Sequence, residues 1–136
     1  MTAFYTVLAE GDDLNEPVTD TARSILDGHI VLSRELAGRN HYPAIDVLGS
    51  VSRVMGAVVD REHLRLAGQL RDAMATYNEA RDLINIGAYV AGSNPKIDQA
   101  IEVMPRIEQL LRQPPDERTE MATTLQLLRD VFAPAD

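Results

Sequence analysis

Apolar residues in the second half of the chain recur at intervals of three and four. Leu66, Leu70, Ala73, Tyr77, Ala80 and Ile84 are spaced four, three, four, three and four apart, which sets them on one narrow stripe of a long helix from Arg61 to Ile86. Gly87 ends that helix, 88–93 reads as a loop, and Asn94-Pro95 supplies a cap and a first position for the next helix. Ile97, Ala100, Ile101, Met104, Ile107, Leu110 and Leu111 form its buried side. Pro105 lacks an amide and its ring crowds the carbonyl of Ile101, so a kink or break is expected there. Beyond Pro114-Pro115 a last helix carries Met121, Leu125, Leu128, Val131 and Phe132.

The first half has a different rhythm. The apolar, β-rich run Thr2 to Ala9 predicts a buried strand, and GDDLNEP a turn in which Pro17 opens a helix. Val18, Ala22, Ile25 and Leu26 fall at helical spacing, Asp27-Gly28 stops that helix, and His29 to Ser33 predicts a second strand. Strand, helix, strand is the βαβ pattern and implies a parallel pair within a larger sheet. Arg34 to Arg39 is a short helix closed by Gly38 and Asn40.

Composition narrows the class. The longest apolar runs fall far short of a bilayer span, no secretory leader opens the chain, and there are no cysteines, so the cytoplasm is the default compartment. A net charge of -8 argues against nucleic acid as a partner, because sequence-independent binding is driven by lysines and arginines on phosphates. The sole lysine, Lys96, lies between Pro95 and Ile97, so no glycine-fed GK[ST] phosphate loop exists in this sequence.

The most chemically loaded stretch is His41 to Met55, HYPAIDVLGSVSRVM. Pro43 biases Tyr42 toward an extended backbone, and Tyr42 reads as a half-buried residue closing a helix-to-strand loop. Arg53 sits among Val51, Val54 and Met55, where a guanidinium is rarely buried without an anionic partner; Asp46 and Asp60 are the candidates. Asp12 and Asp13 offer either a metal or acid–base pair or, as such doublets do more often, turn caps. His29, His41 and His63 are too scattered for a ligand motif, and no metal site is predicted. Glu79 and Asp82, near Arg81, read as a solvated helix face.

YPAIDVLGSVSRVM, with GDDLNEPVTDTARSILDGHIVLSREL upstream and DLINIGAYVAGSNPKIDQAIEVMPRIEQLLRQ downstream, resembles the C-terminal third of a type III protein-export ATPase, a relative of rotary proton-ATPase catalytic subunits, with the flagellar export branch favoured. The resemblance implies a mostly α chain with a small α/β portion: residues 1–58 as the edge of a RecA-like nucleotide-binding domain, and 59–136 as a C-terminal helical bundle. It implies that Tyr42, with Pro43, stacks on adenine, and that Arg53 is an arginine finger reaching a neighbour's terminal phosphate, beside the alternative of a structural ion pair. Gln113, Pro114 and Pro115 stand where the proton-ATPase branch carries a second aromatic, which implies a looser adenine pocket. The loop with Tyr89, Val90, Gly92 and Ser93 replaces an acidic stalk-contacting segment and is expected either to meet a coiled-coil stalk or to tuck inward.

Implied for the intact enzyme are ATP and magnesium, a homo-hexamer, a central stalk, export chaperone–substrate complexes, and a cytoplasmic place at the inner face of the membrane, peripheral to the export gate. Met1 reads as an engineered or internal start, and the chain as a fragment that is inactive alone and binds no cofactor tightly. Two other classes remain open: a nucleotide-independent helical binding module, and a piece of a rotary proton ATPase, against which the near-neutral GAYVAGSNP speaks.

Overall fold

Asp60 begins the longest element. Its carboxylate accepts from the backbone amide of His63 at 2.7 Å, and Glu62 follows in the first turn, where the helix dipole favours negative charge. A computed structural model, which describes residues 2–9 and 16–133, places eight elements in the order α1 Pro17–Ile25, β1 Gly28–Leu32, α2 Arg34–Gly38, β2 Ile45–Ser52, α3 Met55–Val58, α4 Arg61–Asn85, α5 Pro95–Leu111 and α6 Met121–Val131. The chain is therefore mostly helical, with one small two-stranded sheet. Gly87, at φ +68°, closes α4 in the left-handed region that glycine enters freely. Asn94 then caps α5 by accepting from Lys96 N at 3.0 Å, with Pro95 at the first position.

The core sits between the last three helices. Leu66 and Leu70 of α4, Val103 and Ile107 of α5, and Leu128 and Val131 of α6 are buried together, with Val47 of β2 packed against them. Ile107 is 0% exposed and lies at the centre. The stripe on α4 behaves as its spacing requires, with Leu66, Leu70 and Ala80 buried and Ala73, Tyr77 and Ile84 half-buried. Outside the core, Arg129 of α6 holds Glu62 of α4 through two bonds of 3.0 and 2.6 Å. Each group favours the other's charged form, which holds Glu62 below and Arg129 above its ordinary pKa. The pair is exposed, so its contribution is to orientation more than to stability.

Several expectations are corrected. Residues 2–9 form no strand, and Phe4 and Leu8 stand 93% and 90% exposed, because β propensity alone does not make a strand without a ladder partner. The parallel βαβ unit is likewise absent among the described residues. The first strand of that unit, residues 2–9, does not form, and β1 pairs instead with β2, antiparallel, across the short α2. α5 is one continuous helix through Pro105. On α6, Met121 is 66% exposed, because it lies in the first turn, before the helix reaches the core. Val103, passed over in the sequence pattern, lies on the same α5 face as Ala100 and Ile107 and is buried with them.

Ile107→Ala is expected to destabilise the chain by about 2–5 kcal/mol in urea unfolding, since Ile107 is sealed on all sides. Met121→Ala should stay within about 0.5 kcal/mol of the parent. A loss below about 1 kcal/mol at Ile107 would mean that the bundle collapses around the cavity.

Candidate functional site

The stretch from His41 to Arg53 is built around β2. Asn40, at φ +56°, ends α2, and His41 N donates back to Leu36 O at 2.9 Å. His41 is buried at 7% exposure, and Arg112, the residue that follows α5, donates through Nε to its Nδ1 at 3.4 Å. A donor at Nδ1 requires that nitrogen to be unprotonated. Burial, followed by the nearby positive charge of Arg112, holds His41 below its ordinary pKa.

Tyr42 and Pro43, joined by a cis peptide bond, follow on this anchor. The carbonyl of Tyr42 accepts from Gln113 N at 2.9 Å, so the segment after α5 is tied directly to the loop. Its side chain is 52% exposed, on a backbone fixed by buried His41 on one side and the Gln113 bond on the other. About half of the residue is thus accessible from solvent. Beside it runs an open groove of about 620 Å³, lined among others by Pro43, Ile45, Leu110, Gln113 and Leu127.

β2 does not run straight. Val51 faces His29 and Asp46 faces Val31, so residues 47–50 leave the ladder opposite Ile30 alone. The backbone of this excursion finds other partners. The Asp46 carboxylate accepts from Gly49 N at 2.9 Å, Ser50 Oγ donates to Asp46 O at 2.6 Å, and His29 Nε2 lies 3.1 Å from Gly49 O. A Cβ on residue 49 would come within 2.7 Å of Asp46 Oδ2, so glycine is what lets the chain approach its own carboxylate. From α4, Arg71 donates to the carbonyls of Val47, Leu48 (3.1 Å) and Ser50 (3.2 Å).

Arg53 stands just past β2. Its amide donates to Asp27 O at 2.8 Å, and its guanidinium to Ser24 O at 2.8 Å and Arg23 O at 3.1 Å, at the C-terminal end of α1. The expected buried arginine with an anionic partner is not found. Arg53 is exposed, its side-chain partners are neutral carbonyls, and the two candidate carboxylates are engaged elsewhere, Asp46 on Gly49 and Asp60 on the α4 cap. The carbonyls at a helix C-terminus carry partial negative charge, and this replaces the expected anion.

At the far end of the bundle, Tyr89 is half-buried. Its hydroxyl donates to Asp98 Oδ1 at 2.8 Å, with Asn94 O 3.1 Å away, and Gly92 N donates to both oxygens of the same carboxylate. Tyr89 is therefore not the exposed apolar tip; its hydroxyl gives it a reason to turn inward. The exposed apolar residues there are Val90, Ile86 and Leu83, at 69%, 75% and 50%, while Gly92 and Ser93 form the exposed turn. Asp12 and Asp13 lie outside the described residues. Among the described residues no three or more His, Asp or Glu side chains gather as a metal site. Arg71, Asp98 and Arg112 were missed in the sequence, where each reads as an ordinary polar helix position.

Residues 59–130 match the family described as the T3SS EscN ATPase C-terminal domain, and residues 1–52 match the nucleotide-binding domain of the ATP synthase alpha/beta family. The flagellum-specific ATP synthase of Pseudomonas aeruginosa is 51% identical over 133 residues, covering 98% of this chain and 30% of that protein. The SPI-2 type 3 secretion system ATPase of Salmonella typhimurium is 56% identical over 117 residues, 86% of this chain and 27% of that protein. The assembled ATPase EscN of enteropathogenic E. coli superposes with a TM-score of 0.91 at 46% identity, over 95% of this chain and 31% of that one. EscN in complex with its central stalk EscO gives 0.81 at 45% identity, over 86% and 29%. The chain thus spans about 30% of the length of the curated relatives it matches.

Because the folded His41 binds its proton less readily than the unfolded one, the unfolded state takes up more protons as pH falls below the ordinary value of 6.5. Stability is expected to be full above that pH and to decline as the pH falls below it toward the lowered pKa of the folded state. His41→Asn should flatten this decline in urea titrations; an unchanged slope would assign the loss to other groups.

Proposed function

This chain belongs to the T3SS EscN ATPase C-terminal domain family, and from that premise we propose that it is the C-terminal part of an ATPase that energises type III protein export, with the flagellar branch favoured. In this reading residues 1–58 complete the edge of the nucleotide-binding domain and 59–136 form the helical domain. ATP and magnesium belong to the intact enzyme. Since the sequence has no GK[ST] loop, this chain's own contribution is a ring face and a guanidinium.

Tyr42 offers the ring face. Stacking on adenine needs a flat surface held in place from behind, and the bonds at His41 and Gln113 are what hold it. The Gln113 to Pro115 segment lies beside it without an aromatic ring, so adenine is stacked from one side.

Arg53 is the observation that carries the proposal. It is exposed, preset by two neutral carbonyls, and has no carboxylate partner among the described residues, so its charge is left for an incoming anion. In a homo-hexamer the anion is the terminal phosphate bound by the adjacent subunit. Charge on the phosphoryl oxygens grows in the transition state, and a permanently charged planar fork stabilises it. The bundle tip at Leu83, Ile86 and Val90, with Gly92 and Ser93 in its turn, serves the central stalk. EscN, the structural neighbour, is known in complex with such a stalk. Export chaperone–substrate complexes and a peripheral site at the membrane export gate complete the assignment.

Arg53→Ala in the full-length enzyme is expected to leave ATP affinity within about twofold and to lower turnover by about 10³-fold or more, and Arg53→Lys should not restore it. If turnover per folded molecule were unchanged while the variant unfolded more readily, the carbonyl bonds to Ser24 and Arg23 would be the whole role of Arg53. For the stalk, Val90→Asp is expected to weaken binding of the stalk protein by at least about tenfold with an unchanged thermal midpoint, because Val90 is solvent-exposed. Undiminished affinity would move the stalk surface elsewhere.

A further inference from the structure

Arg71 lies in the middle of α4, next to Leu70, which is buried in the bundle core. Its backbone therefore moves with the helical bundle. Its guanidinium reaches out of the bundle to three carbonyls of β2, those of Val47, Leu48 and Ser50, which are carbonyls of the segment that leaves the β ladder. No other α4 side chain hydrogen-bonds to β2 among the described residues; the remaining tie is Val47 against the apolar core. Three residues beyond Ser50 stands Arg53, whose amide is fixed from the opposite side by Asp27 O at 2.8 Å.

We propose that Arg71 is a positioning residue for Arg53: by holding the β2 excursion to α4, it makes the placement of the arginine finger follow the orientation of the helical bundle. This rests on the reading of Arg53 given above. Three carbonyls on one fork define a position more tightly than any single bond, and only a guanidinium offers several donors in one rigid plane. Only Val51 and Ser52, paired with His29 and Gly28, separate the excursion from Arg53, so a displacement there shifts the strand end that carries Arg53 against its carbonyl partners on α1. Transition-state stabilisation by a finger is steep in distance, and a misplacement of about 1 Å can cost on the order of 10²-fold. Movement of the bundle tip is thereby converted into a change of rate in the neighbouring site. The contact also explains an arginine on the α4 surface that has no carboxylate partner among the described residues.

The test is a double-mutant cycle in the full-length, assembled enzyme with Arg71→Ala, Arg53→Ala and both together. Arg71→Ala is expected to lower kcat by roughly 10- to 100-fold, leave KM for ATP within about twofold, and leave the hexamer intact by light scattering. The double variant should be no slower than Arg53→Ala alone, because Arg71 acts through Arg53. Arg71→Lys keeps charge and stem but loses the fork; it should recover little of the rate, and it carries the same comparison should the alanine variant fail to assemble. Wild-type kcat in Arg71→Ala, or losses that multiply in the double variant, would overturn the positioning role while leaving the finger in place. Wild-type kcat in Arg53→Ala would remove the finger, and this proposal with it.

Discussion

Backbone groups that leave a β ladder must find new partners, and in the first half of this chain that requirement organises nearly everything else. Residues 47–50 of β2 stand opposite a single residue of β1, so several carbonyls and amides lose their strand partners at once. Asp46, Ser50, His29 and Arg71 each supply a bond to the displaced backbone or to its flanks. Three of these come from the sheet itself and one from α4. The same set of bonds therefore shapes the strand and joins it to the bundle. Val47, turned onto the apolar core, adds the hydrophobic part of that junction.

The helical half depends on simpler forces. α4 and α5 pack along most of their length, α6 closes the third side, and the buried leucines, isoleucine and valines supply the driving force. Polar residues then set direction. Asp60 and Asn94 begin helices, Arg129 ties α6 to the start of α4, and Arg106 donates to the carbonyls of Asp130 and Ala133 at the end of α6. Asp98 performs the same service for the loop, gathering Tyr89 and Gly92 onto one carboxylate.

How much of this was legible in the sequence follows the distance over which each interaction acts. The α4 stripe, the Asn94-Pro95 start and the Gly87 stop are local, and they were read to within a residue. Resemblance named the architecture. The strand expected over Thr2 to Ala9 failed because a strand exists only with its neighbour, and neighbours are decided by the whole chain. Arg53 among valines looked buried because hydrophobicity along a sequence does not tell which face of a strand end meets solvent. Tyr89 left two readings open, a stalk contact or an inward tuck, because apolarity alone does not weigh its hydroxyl, and a carboxylate nine residues away decides for the inward one. Arg71 gave no signal, since its partners are main-chain carbonyls and no residue identity betrays them.

The two-stranded sheet has a further consequence, for the behaviour of the chain in solution. Among the described residues β1 and β2 pair only with each other, so each keeps one edge of unpaired amides and carbonyls, and Ile30, Leu32 and Val51 are exposed on these strands at 68%, 73% and 44%. Open edges beside bare aliphatic side chains invite addition of a further strand from any chain that comes near. At high concentration the sheet end therefore offers a route to self-association through strand addition, one that is separate from the packing of the helices.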